Sequence, residues 1–178
     1  MKIPVEELLY QPQDGRASVV RSEEYFFSEI YEDPESFAVE LEGLVSTMVE
    51  WIGDAGDYEV DHLIAAPPRI FFATVGEILD FGNGPLEIRP GLRGAYSDEI
   101  DTLVIVLPWS IDDQVSRSIL LHELVHAVQA SARDWNCLAE QEWEAYQLQH
   151  RWLAEQGLDW TLDWLLVGIM SRCPDTVE

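Results

Sequence analysis

Residues 120–130 read LLHELVHAVQA, and the run from His122 to His126 inside it constrains this chain more than any other feature. If residues 111 to 132 form a helix, His122 and His126 lie four apart on one face, where two imidazoles reach a single tetrahedral metal ion. Glu123 is then turned about 100° away from His122, where it faces a metal-bound water rather than the metal. Ser110 reads as the N-cap of this helix, with Asp113 three residues on in a variant capping box. Val115, Ile119, His122, His126 and Gln129 fall on one stripe, so the histidines face inward with the apolar residues.

Three protein ligands and one open position make a catalytic zinc site, so a third ligand is needed. Beyond the pair there are only His62 and His150, and the segment CLAEQEWEAYQLQHRWLAEQG, residues 137 to 157, offers Glu140, Glu142 and Glu144. On a helix, Leu138, Ala139, Ala145, Tyr146, Trp152 and Leu153 form a buried stripe that positions 142 and 149 complete. Glu140 and Glu144 group with Gln141, Gln147 and Arg151 on a solvated face. A carboxylate on a buried stripe is costly unless neutralised, which a divalent cation would do. Glu142 is therefore the expected ligand and Glu144 the next candidate. Tyr146, four residues after Glu142, is placed to hydrogen-bond a ligand from outside the metal shell.

The rest of the chain reads as scaffold. Residues 33–53 have an amphipathic helical pattern, with Asp33 as cap, Phe37, Leu41, Leu44, Met48 and Ile52 at helical spacing, and Gly53 as the stop. Residues 53–62 read as a loop. Residues 69–74 suggest a strand, DFGNGP at 80–85 a turn with positive φ at Gly82 and Gly84, and residues 94–108 a hairpin whose second strand is largely buried. We expect one domain over 1–178, with a mainly helical part at 1–60 and a core at 61–178.

Composition works mostly by exclusion. Thirty-four acidic residues against ten basic give a net charge of −24, which repels phosphate backbones and anionic lipid surfaces, so nucleic acid and membrane are not expected partners. No apolar run reaches the length of a bilayer span, and the first residues lack the apolar stretch of a secretory signal; a cytoplasmic location is the expectation. With only Cys137 and Cys173 present, both are expected to be reduced, Cys137 as a small packed residue. Most of Trp135, Trp143, Trp152, Trp160 and Trp164 are expected in the core.

Taken together, HELVH and the segment Glu142-Trp143-Glu144-Ala145-Tyr146 resemble the zincin metallopeptidases of the gluzincin type, where a glutamate on a later helix completes the site. His122 to Gln129, Cys137, the ExEAY segment and Gln149 to Leu153 look closer still to a group of small bacterial proteins of uncharacterised function classed as zinc metallopeptidases. The likeness covers residues 94–157. It implies an α+β, zincin-like fold: a small mixed sheet packed on the HExxH helix and on a C-terminal glutamate-bearing helix, with the last strand, residues 100–107, running into the active-site helix and lining the substrate cleft. No motif identifies the group that stabilises a tetrahedral intermediate; Tyr96, Arg93, His62 and His150 are the possibilities.

The expected activity is hydrolysis of a peptide or protein substrate, with Zn²⁺ held by His122, His126 and Glu142 and with Glu123 as general base. The competing expectation is a zinc-stabilised binding or regulatory protein without catalysis. A purely structural site is normally closed by a fourth protein ligand and has no use for Glu123.

Overall fold

Helix α1 spans Pro34–Gly56 and lays Phe37, Leu41, Val45, Met48, Val49 and Ile52 into the core, at the three- and four-residue spacing of one helical face. The computed structural model describes residues 19–20, 34–82 and 84–174. The expected cap Asp33, and all of the expected N-terminal helical part before residue 34 except Val19–Val20, lie outside them. The helix passes through Gly53 rather than stopping there, because Ile52 and Ala55 still reach the core. The expected loop at 53–62 is shorter than its sequence suggests and leads into a brief helix α2, Asp61–Ala65, which buries Leu63.

Among the described residues six strands follow the chain as β1 (Val19–Val20), β2 (Arg69–Ala73), β3 (Ile78–Asp80), β4 (Pro85–Glu87), β5 (Gly94–Ser97) and β6 (Thr102–Val106). Four form a mixed sheet in the order β1-β2-β6-β5, with β1, β2 and β6 parallel and β5 antiparallel to β6. β3 and β4 make a separate antiparallel hairpin around the turn at 80–85, where Gly82 and Gly84 do take positive φ. β6 is buried along its whole length, as a central strand covered on both faces must be. Val104 and Val106 pack toward the hairpin, while Leu103 and Ile105 pack toward the helices.

After β6 and the cis Leu107–Pro108 bond the chain enters α3, Gln114–Ala132. This helix begins three residues later than the sequence suggests. Asp113, not Ser110, is the N-cap, accepting from the Ser116 amide at 2.7 Å. Trp109 and Ile111 are buried, and the core holds residues 110–113 in a turn, with the Asp113 amide donating to the Ser110 carbonyl at 3.3 Å, where Ser110 would have started a helix. Helix α4, Leu138–Glu155, packs alongside α3, and α5, Trp164–Met170, closes the described chain. Leu120, Leu121, Leu124, Val125 and Val128 of α3 meet α1, the sheet and α4 in one core. Each such side chain contributes about 1.5–3 kcal/mol through burial.

Three expectations are corrected here. Cys137 and Cys173 form a disulfide, tying the start of α4 to the segment after α5, rather than standing reduced. Of the five C-terminal tryptophans only Trp152 is buried; Trp143 and Trp164 are exposed and stack on each other at 5.6 Å. On α4, Leu138 is exposed and Gln141 buried, the reverse of the expected stripe, because α4 turns its first two turns toward a cleft rather than into the core.

Candidate metal centre

A cavity of about 710 Å³ runs along α3 between β5, α4 and the segment around α5. Its wall carries Val115, Ile119, His122, Glu123, His126 and Ala130 of α3, so the stripe expected to face the core faces this cleft. The strand that lines it is β5, the sheet edge among the described residues, and not β6. β6 leads into α3 as expected but is enclosed by its neighbours.

His122, His126 and Glu142 converge on the cleft floor, with one ligand atom from each lying within 4.8 Å of the others. The two Nε2 atoms are 3.2 Å apart, and the Glu142 carboxylate stands 3.3 Å from that of His122 and 3.5 Å from that of His126. Glu142 is partly open, with 30% of its side chain exposed, so it sits at the cleft surface rather than in a sealed apolar face. Burial alone would raise its carboxyl, but hydrogen bonds and charge from His122 and His126 outweigh that and hold it well below the usual carboxylate range. Burial opposes a charge on His126, yet Glu142 and Glu123 together raise its ring above the ordinary histidine value.

The hydrogen bonds behind the ligands decide how the rings are protonated. Gln129 Nε2 donates to the Gln141 carbonyl at 3.1 Å and to the Glu144 carboxylate at 3.0 Å, both of which only accept. Its Oε1 therefore faces His126 Nδ1, 2.9 Å away, and accepts a hydrogen bond from the ring N–H. On the other side Ser118 donates to the Val115 carbonyl and receives Gln149 Nε2 at 3.1 Å, which leaves Gln149 Oε1 to accept from His122 Nδ1, also at 3.1 Å. With both Nδ1 atoms holding protons, neutral rings present two bare Nε2 lone pairs to each other and to a carboxylate. Such a group calls for a cation at its centre: a shared proton, or a metal ion.

Glu144, the alternative ligand, is thus one step removed from the group. It anchors Gln129 and accepts from the Tyr58 hydroxyl at 2.5 Å. Gln129 and Gln149 were both visible on the expected faces, and the sequence assigned neither a role.

Glu123 is 7% exposed, lines the cleft beside the ligand group, and makes no hydrogen bond with a described residue. Burial pushes its carboxyl up, against the opposing pull of His122 and His126. Gly94 of β5 makes room for it: a Cβ there would lie 2.6 Å from Glu123 Oε1 and 2.7 Å from its Cγ. Gly94→Ala is expected to lower stability by about 1–3 kcal/mol through overpacking, read as a drop in the urea midpoint. An unchanged midpoint would mean that Glu123 swings clear at no cost.

Tyr146 does not hydrogen-bond a ligand as expected. Its ring packs on that of His122, with centroids 4.5 Å apart, and its hydroxyl has no partner among the described residues and is not sealed from the cavity. Burial, then the charges of Glu142 and Glu123, raise its pKa and keep it a proton donor. Tyr96 and Arg93 also line the cleft, but the Tyr96 hydroxyl is committed to Asp101. His62 is bonded to Ser131 and His150 stacks on Trp164, and neither lines the cleft.

A protein family described as Domain of unknown function (DUF6647) matches residues 37–177, which include all of α1 but its first three residues, every later element and the whole ligand group. The chain belongs to this family. No curated protein and no solved structure matches it. Membership in DUF6647 thus brings no assigned chemistry, and function has to be argued from the cleft.

Proposed function

We propose that this protein is a zinc-dependent hydrolase acting on peptide bonds, with His122, His126 and Glu142 as ligands and Glu123 as general base. The observation that carries the reading is the paired commitment of both Nδ1 protons to Gln129 and Gln149, which points two Nε2 lone pairs and a carboxylate at one spot. Two imidazoles and one carboxylate are a donor set that suits zinc. Zinc held there would polarise the scissile carbonyl and make an adjacent water more acidic.

The chain's own groups supply the rest. Glu123, unpaired and shielded, takes the proton of the attacking water and passes it to the leaving amine. Tyr146 offers a free hydroxyl to the developing oxyanion, which fills the role that no sequence motif identified. β5 offers a backbone edge along the cavity that no other described strand pairs, against which an extended peptide can lie as an added strand. The zincin-like fold and the gluzincin likeness belong to the same proposal. The three-ligand group, with no fourth His, Cys, Asp or Glu joined to it among the described residues, favours this reading over a closed structural site.

Among the described residues no helix is long and apolar enough to cross a membrane. A cytoplasmic location remains part of the proposal, and the Cys137–Cys173 bridge counts against it, since disulfides persist mainly in oxidising compartments.

The test is metal content by mass spectrometry on protein purified without added metal, followed by exposure to a peptide library with and without a chelator. About one zinc per chain and cleavage that chelation abolishes are expected. Zinc without cleavage would instead support the binding or regulatory role, and no zinc after reconstitution would remove the reading. In the active protein Tyr146→Phe should keep its zinc and lose roughly 10²–10³-fold in kcat. Unchanged kcat would take the oxyanion role from Tyr146.

A further inference from the structure

Beyond the ligand group and Glu123, two charged residues line the cleft among the described residues: Arg93 and Asp98. Arg93 is unusual in a chain with 34 acidic and ten basic residues, where an arginine can readily find a carboxylate. Arg89 and Arg151 hold Glu87 and Glu155, and Arg69 and Arg117 are bonded to backbone carbonyls. The Arg93 guanidinium makes no hydrogen bond or ion pair among the described residues. It lies close enough to Asp113 for their charges to attract, but the two form no ion pair, and Asp113 Oδ2 accepts from the Ser116 amide in capping α3.

Its position is fixed from behind. The Arg93 carbonyl accepts the Val106 amide at 2.9 Å, extending the β5–β6 pairing by one step. The next residue is Gly94, which touches Glu123. Consecutive Cα atoms are about 3.8 Å apart, so Arg93 is rooted one residue along the sheet edge from the glycine that packs against Glu123. Apart from the histidines, it is the only cationic residue on the cavity wall among the described residues.

We propose that Arg93 is a specificity-determining residue that binds a carboxylate of the substrate, an inference that rests on the hydrolase reading. A net charge of −24 repels anions from the surface at long range, so a carboxylate is retained only where a local cation meets it. A guanidinium meets a carboxylate through two parallel hydrogen bonds, which fixes orientation as well as adding affinity. The carboxylate comes either from the C-terminus of a peptide or from an acidic side chain near the cleaved bond.

The test uses three probes on the zinc-loaded protein, followed by calorimetry: a peptidyl hydroxamate ending in a free carboxylate, its terminal-amide twin, and an amide twin whose last residue is glutamate. The free acid, the glutamate twin or both should bind roughly tenfold or more tightly than the plain amide. That preference should collapse in Arg93→Met and survive in part in Arg93→Lys, with the affinity for the plain amide unchanged. Preference for the free acid alone identifies a terminal carboxylate, and preference for the glutamate twin identifies a side chain. Equal binding of all three by the wild type, a preference that persists in Arg93→Met, or no binding by any probe would overturn the proposal. If zinc retention and peptide turnover stay intact in the face of that result, the hydrolase reading stands and only the role of Arg93 falls.

Discussion

Glu123→Gln is expected to retain about one zinc per chain and to lose roughly 10²–10⁴-fold in kcat, the range that a positioned general base supplies. The amide matches the carboxylate in size, so the space beside Gly94 stays filled and the helix is undisturbed. Glu123 is not among the three converging ligand atoms, so metal affinity should hardly change. What the amide lacks is the ability to take a proton. In the native chain that ability is sharpened by the environment: a shielded carboxyl without hydrogen bonds, pushed up by burial, is more basic than one in water. Metal content and single-turnover rates on one peptide, measured side by side, separate the two effects. Near-native turnover with zinc in place would remove Glu123 as the base.

A comparably large effect is expected at the third ligand. Glu142→Ala leaves two imidazoles without the carboxylate that now stands 3.3 and 3.5 Å from them, and zinc affinity measured by competition with a chromogenic chelator should fall by more than about 100-fold. Glu144→Ala should act differently. It removes an acceptor from Gln129 and Tyr58, loosening the amide that orients His126, and a loss of roughly tenfold is the outer-partner scale. The reverse order, with zinc kept in Glu142→Ala and lost in Glu144→Ala, would transfer the ligand role to Glu144.

The contrast between those two glutamates also measures what can be read from one sequence. HELVH was legible because helical period alone aligns His122 with His126, and β6 was legible because a run of buried aliphatics is a local signal. Glu142 came from spacing as well, although the face it completes is a cleft wall and not a core. The Ser110 and Asp113 caps are chemically equivalent from sequence; burial of Trp109 and Ile111 chose between them, and burial is a tertiary property. The bridge between Cys137 and Cys173 depends on where α5 docks, which no local pattern encodes. β5 was hard to recognise as the cleft strand because Gly94-Ala95-Tyr96-Ser97 carries little hydrophobic signal beside the run that follows it. Gln129 and Gln149 were missed for another reason: a neutral amide on an inward face reads as filler until its partners are known.

Those amides have a consequence for the electric field of the cleft. Neither can gain or lose a proton at any ordinary pH, so the orientation of both rings survives acidification that would neutralise carboxylate partners. They also add no charge. A divalent ion with two neutral imidazoles and one carboxylate keeps a net charge of +1, which acidic partners behind the histidines would have cancelled. On the hydrolase reading, the ionised Glu123 beside them would offset that charge, so the cleft floor would be close to neutral in a chain of net charge −24. Negative charge formed during the proposed reaction would then arise where the surrounding surface's excess of carboxylates is locally relieved.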